Sequence, residues 1–364
     1  MYRHIATTLY SRGEASIGDK ELNLLPYWVW MVVALNVIVF LPLSIISSYT
    51  LQLLYPTLAI VEDPSPPAYD AVSMSEDGRS TVGDGLAKTD SVTVSKAPAI
   101  TSSLRSIHRA LLAVGGWRSL FRGFAAYFSV STAANILTGI FLRTLGGPAF
   151  IHVILARLAL VQPYAAWTHV MISTPSSKYF WQRFPSFGRA FRATALPVSI
   201  HAVATMLAAV LPLVVASLLR MNVWNTETPE APFKHDKDDV WKGIIVLLVA
   251  LALHLVLVIP AHVALVRVQA SFLPDECDTI VPMDRSFGGK VEPAIVNGKG
   301  YLSMRDALKT FTRASRVRLI KLYVRIFAVV TALGVLAVAV LAPQYFLLAK
   351  VVSGIENPNA AVVF

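Results

Sequence analysis

The sequence predicts an all-α membrane protein with six transmembrane helices in three pseudo-repeats, each repeat carrying a short amphipathic surface helix between its two spans. Composition is the first observation behind this: the chain is 55% hydrophobic and only 15% charged, with a mean hydropathy of +0.58, which does not describe a soluble surface. The second is the distribution of charge. No Asp, Glu, Lys or Arg occurs from Leu22 to Val61, Phe124 to Leu142, Leu158 to Ser177, Ala193 to Leu219, Gly243 to Val266 or Ile326 to Ala349. Each run reaches the roughly 20 helical residues that cross a bilayer core about 30 Å thick. The third is recurrence, because spans 1, 3 and 5 begin near Pro26, Ile151 and Trp241 and each is followed by a hydrophilic stretch and a second span.

Taken in order, residues 1–25 form a polar tail. It lacks the apolar core of a secretory signal, and Glu14 and Asp19 beside Arg3 and Arg12 do not suit a mitochondrial presequence, so mitochondrial targeting would be internal. Repeat 1 covers 26–143 and holds an insert, 61–100, rich in Ser, Pro, Gly and acids, whose composition predicts disorder. Repeat 2 covers 144–222, a polar linker 223–240, repeat 3 covers 241–350, and 351–364 is the C-terminal tail. The expected surface helices are Ser102 to Val114, Lys178 to Ala190 and Ser303 to Arg313, each with apolar residues at helical spacing opposite basic ones.

The excess of 32 basic over 22 acidic residues reads as topology, not as nucleic-acid affinity. The loops between odd and even spans hold 7, 4 and 11 Lys or Arg, which places these loops on one face of the membrane and both termini on the other. The single cysteine, Cys277, excludes an internal disulfide and any CxxC site. No phosphate-binding glycine loop, HExxH or serine nucleophile elbow occurs, and Asp236, Asp238 and Asp239 surround Lys237 as ordinary loop charge, so neither an enzyme nor a cofactor is expected. His169, His201, His254 and His262 are the ionisable candidates within the spans; His254 and His262 lie eight apart, off one another on a helix, so no metal pair is expected.

Two segments carry a resemblance. Pro260 to Gln269 reads PAHVALVRVQ at the end of the fifth span, and Gly116 to Gly123 reads GWRSLFRG before the second. The chain here resembles the mitochondrial carrier family, whose odd helices end in P-x-[DE]-x-x-[KR]-x-[RK]-x-Q and whose second helix is preceded by G-x(4)-[YF]-R-G. Pro260, Arg267 and Gln269 occupy positions of the first pattern, with His262 at its acid position. Gly116, Phe121, Arg122 and Gly123 fit the second, and Pro42 and Pro163 offer the proline in repeats 1 and 2. The resemblance spans Pro26 to Leu347 and implies a six-helix bundle that moves a small solute across a mitochondrial membrane, inner and outer both remaining open.

The departures are as informative. The family's acid and base positions, which form an ion-pair ring at the matrix side, hold Ser44, Ala165 and His262, and Ser47, Thr168 and Leu265, so no repeat retains a pair. By the family's count, Val130 and Arg325 fall at substrate-contact positions of spans 2 and 6, with His201 a further candidate in span 4. Arg325 facing the cavity suits a small anionic solute; Arg325 snorkelling to the interface is the alternative. Loss of the pairs favours a second reading, a non-transporting outer-membrane scaffold, fusion factor or insertase of carrier shape. A third rests on Pro66, Pro67 and Tyr69, a P-P-x-Y pattern in the insert that suits the aromatic groove of a WW-domain protein, making the chain a membrane adaptor for a ubiquitin ligase.

Overall fold

A chain segment in lipid can satisfy its own amides only by coiling, so the uncharged runs become helices. The computed structural model describes residues 27–63, 99–177, 179–221, 238–274, 276–291 and 299–356; these hold helices joined by turns and loops, with one isolated bridge between Ser173 and Thr279 and no strand. Five helices are long and apolar enough to cross a membrane: α1 (Tyr27–Val61), the helical segment Leu104–Leu145, α6 (Phe187–Leu218), α7 (Val240–Ala270) and the last helix over Arg313–Leu348. A bent pair, α4 (Ala149–Ala159) and α5 (Val161–Ile172), makes a sixth if counted as one span. In the most apolar windows of α1, α7 and the last helix only 6% of residues are buried within the protein. Trp30, Ile38 and Leu218 lie 60 to 76% exposed, an outward apolar surface that suits lipid and not water. The protein is an all-α membrane protein, with five to six such helices among the described residues.

The three-repeat layout is not what these elements draw. Residues 104–115 form a full amphipathic helix, α2 (Leu104–Gly115), capped by reciprocal bonds between Ser103 and Ser106 and burying Ile107 and Leu111. It leads through a 3₁₀ turn, Gly116–Phe121, into α3 (Phe124–Leu145). The second expected surface helix is only a 3₁₀ turn, Phe180–Arg183, because Pro185 follows and α6 has already begun at Phe187. The third is a six-residue helix, α8 (Met304–Lys309), capped by Ser303 on the Asp306 amide, and Arg313 already opens α9 (Arg313–Glu356).

Each odd span is distorted beside its proline. Pro42 lies within α1, and the helix widens to a π-turn over Ile46–Leu54. There Ser44, Ser47 and Ser48 hydroxyls donate back to the carbonyls of Leu41 and Ser44, an arrangement that bends helices. Pro163 sits in the first turn of α5, after a 65° bend at Leu160. Pro260 follows a π-turn, His254–Val258, within α7. A proline leaves the carbonyl four residues back without its donor, and the widened or broken turn accommodates it.

By contact the chain divides into two units, residues 1–48 with 326–364, and residues 49–325. The first unit contains the outer parts of α1 and α9, where Asn36 donates to Gln344 at 2.6 Å. In the second, the last turns of α1, α5 and α7 touch pairwise. All seven residues Tyr55–Val61 are buried there, as are Met171 and Ile172 from α5 and Ala264, Val266 and Val268 from α7.

The insert is ordered at both ends. Glu62, 2% exposed, accepts from the amides of Ile100 (2.6 Å) and Thr101 (3.1 Å) and from the Thr101 hydroxyl, and pairs with Arg318 at 3.3 Å. Positions 61–63 and 99–100 therefore belong to the packed body, correcting the expectation of disorder there. Pro66, Pro67 and Tyr69 lie outside the described residues, as do the tail 1–25 and most of the linker 223–240.

Candidate functional site

Span 3 carries a charge that the uncharged-run reading left just outside it. The third span starts at Ala149, eight residues before Arg157, so this arginine lies inside the bent pair. Its guanidinium is half-buried and within electrostatic reach of His201 on α6 and Tyr164 on α5. The His201 imidazole stands 5.5 Å, ring to ring, from His262 on α7. His262 Nδ1 in turn lies 3.4 Å from the Tyr323 hydroxyl on α9. Three helices thus bring two imidazoles and a phenol together, and the Arg157 guanidinium lies within electrostatic reach of His201 from α4, which packs against α6. No hydrogen bond or ion pair joins the Arg157 guanidinium or the His201 ring to any other described residue.

That lack of partners distinguishes Arg157. The other described arginines that are not exposed each donate to a protein oxygen: Arg122 to Val170 (2.6 Å), Arg183 to Ser173 (2.7 Å), Arg267 to Ile60 (3.3 Å), Arg285 to Pro274 (3.0 Å) and Arg318 to Glu62 (3.0 Å). Burying a charge in a membrane helix costs about 2.5 to 3.5 kcal/mol on insertion scales, and such residues are paired or functional. An aromatic row continues from Arg157 towards the loop end. Tyr164, seven residues on, is followed by Trp167, which contacts Tyr127 (5.2 Å), itself against Tyr49 (5.4 Å).

The loop end of this unit is closed by contacts that contain few charges. Thr168, at one of the base positions of the resemblance, donates to the Gln269 side chain at 2.7 Å, and the adjacent His169 Nε2 bonds the Gln269 carbonyl at 2.9 Å. Arg267, 7% exposed, is held between the rings of Phe287 (4.9 Å) and Phe311 (5.4 Å) and donates to Ile60 and Thr310. The chain after α7 forms a strap that runs along these ends: Ile280 N bonds Ile172 O (2.9 Å), Thr174 N bonds Asp278 O (2.8 Å) and Asp63 N bonds Pro282 O (2.9 Å). Within it Phe287 is buried at a φ of 49°, a strained conformation for a bulky residue, adopted where its ring meets Arg267. Burial alone would raise the Asp284 carboxyl. Its bonds from the Ser286 hydroxyl and from the amides of Gly288, Ser286 and Phe287 outweigh this and hold it below the ordinary aspartate range.

The remaining expected positions fall as follows. Gly123 has a φ of 78° and admits no side chain: a Cβ would come within 2.9 Å of the Tyr49 hydroxyl. That hydroxyl donates to the Arg122 carbonyl. Gly116, also at positive φ, ends α2. Val130 is buried on α3. Arg325 is exposed and donates to the Ser102 carbonyl at 2.5 Å beside the α2 cap, so the charge that lies with His201 is Arg157. His254 is exposed and bonds the Ala250 carbonyl. No group of three or more His, Cys, Asp or Glu able to hold a metal occurs among the described residues. Tyr323 and Glu62 also escaped the sequence reading. Arg157 could have been found by extending the third span back to Pro148, which leaves one arginine among apolar neighbours. Comparisons of the chain with family models, with curated proteins and with solved structures find no match.

Proposed function

We propose that this chain is a divergent, carrier-like integral membrane protein that binds a small solute among its spans and passes it across a mitochondrial membrane. The observation that carries the reading is the contact of His201, His262 and Tyr323 with Arg157 in electrostatic reach, the guanidinium of Arg157 and the ring of His201 being bonded to no described residue. Polar groups placed this way at membrane depth are costly unless a ligand or water meets them. PAHVALVRVQ and GWRSLFRG supply the carrier resemblance. The test is solute exchange in liposomes containing the purified chain, with and without Arg157→Gln. Exchange lost in this variant and kept in Arg143→Gln, which removes an exposed arginine near the end of α3, supports transport; equal exchange in both rejects it.

A second reading is favoured by the closed loop end. Thr168 and His169 bond Gln269 where no ion pair is retained, and the strap ties α1, α5 and the chain after α7 together. A protein built this way serves as a fixed membrane scaffold. Absence of exchange for every solute, with wild-type folding, would select this second reading. Subfractionation, with protease added before and after the inner membrane is opened, assigns the membrane.

A further inference from the structure

We propose that Arg157, His201, His262 and Tyr323 form a binding site for a small, singly charged organic anion with an apolar or aromatic body, such as an aryl monocarboxylate. The inference rests on the solute-binding reading above and names the class of solute.

The charge follows from counting the cations that are free to act. Arg157 is the one permanent charge in the cluster, since a guanidinium stays protonated in proteins. Arg122, Arg183, Arg267, Arg285 and Arg318 are engaged by protein oxygens, and Arg325 is spent on the Ser102 carbonyl. A triphosphate or tricarboxylate would bring several negative charges to one cation, with the excess left uncompensated away from water. A carboxylate matches it, because the planar guanidinium presents paired donors to two oxygens.

The shape follows from the neighbours. His201, His262 and Tyr323 offer further hydrogen-bonding atoms, and the two imidazoles lie 5.5 Å apart, ring to ring. Tyr164 is likewise within reach of Arg157 and meets Trp167, which reaches Tyr127 and through it Tyr49. Aromatic faces favour an apolar or aromatic group held in offset or edge contact. A headgroup at Arg157 would thus direct the ligand body towards Tyr164 and Trp167.

The experiment uses the full chain purified in detergent and follows its thermal unfolding with sodium benzoate, acetate, citrate or ATP at matched ionic strength. Benzoate should raise the melting temperature in a saturable way, acetate should do so only at higher concentration, and citrate and ATP should do no more than chloride. Arg157→Gln should weaken benzoate binding by about tenfold or more, as expected for loss of a charge-assisted pair. Arg157→Lys should retain part of it, and Arg143→Gln should match wild type. If Arg157→Gln does not fold, His201→Ala and Tyr323→Phe serve instead, each with severalfold weaker binding. Benzoate acting no better than chloride, greater stabilisation by citrate or ATP, or unaltered binding in the Arg157 variant (or, where it is unfolded, in both substitutes) overturns the site. The two readings fail separately: benzoate binding without exchange keeps the site and rejects transport, and exchange of a solute that benzoate neither competes with nor stabilises against rejects the site and keeps transport.

Discussion

Gly123 shows how much one residue is asked to do. Its φ of 78° costs an L side chain about 1 to 2 kcal/mol. A Cβ there would also press within 2.9 Å of the Tyr49 hydroxyl and 3.3 Å of Trp167, displacing the bond from Tyr49 to the Arg122 carbonyl. Gly123→Ala is therefore expected to lower the melting temperature of the purified protein clearly. Gly139→Ala, in an open helical position with nothing within 4 Å of its Cβ, should leave it unchanged or slightly raised, since alanine is the better helix former. Glu62 is the counterpart among charges. Its carboxylate receives Ile100, Thr101 and Arg318, and the pair is only 11% and 2% exposed at its two side chains. Removing one partner of a buried pair costs about 3 to 5 kcal/mol because the other is left uncompensated. Glu62→Ala should lower stability by about that much in chemical denaturation, whereas substituting the exposed Arg109 should cost a small fraction of it.

Among the elements, the strap is the part whose stability has a calculable dependence on pH. The Asp284 carboxylate is held below the ordinary aspartate value by its bonds from Ser286 and the amides of Gly288 and Phe287. A depressed carboxylate contributes stability that is fully present above the unfolded value, about 3.9, and is lost as pH falls through the folded one. Asp284→Ala is expected to reduce hydrogen-exchange protection of residues 286–290 at neutral pH, and the difference from wild type should close as the wild-type carboxylate is protonated. A difference that persisted in acid would reject this role. The prolines made the odd spans readable: Pro42, Pro163 and Pro260 each marked a distortion that the helices contain. The surface helices were less readable, because apolar spacing does not say where a long span starts. Phe187 and Arg313 belong to α6 and α9 and leave only short turns before them. The strap itself was legible only as a loop with hydrophobic punctuation, since its bonds are made by backbone groups that carry no sequence signal.

For the whole molecule, composition was enough to announce the membrane class, because outward apolar surface must be present whatever the arrangement. The site was half legible. His201 and His262 could be picked out as polar residues in apolar runs, but Arg157 fell one residue before a run that was counted from Leu158, and only tertiary packing joins it to Tyr323. Whether the loop end opens decides between the two functional readings, and the bridge between Ser173 and Thr279 provides a way to hold it shut. In a Cys277→Ala background, Ser173→Cys with Thr279→Cys should form a disulfide under oxidation. Oxidised protein should stop exchanging solute and recover on reduction if transport needs this end to part; exchange at the same rate in both states would show that the strap does not move. The bond from Asn36 to Gln344 carries a different consequence, one of timing. These amides join α1 to α9 across 308 residues, and at a synthesis rate of about 5 to 20 residues per second the first helix waits roughly 15 to 60 s for its partner. During that interval Asn36 sits in an apolar helix with no amide to meet it. Until α9 arrives, Asn36 must therefore do without the amide that meets it in the folded protein, so the pairing of these two helices can form only at the end of synthesis.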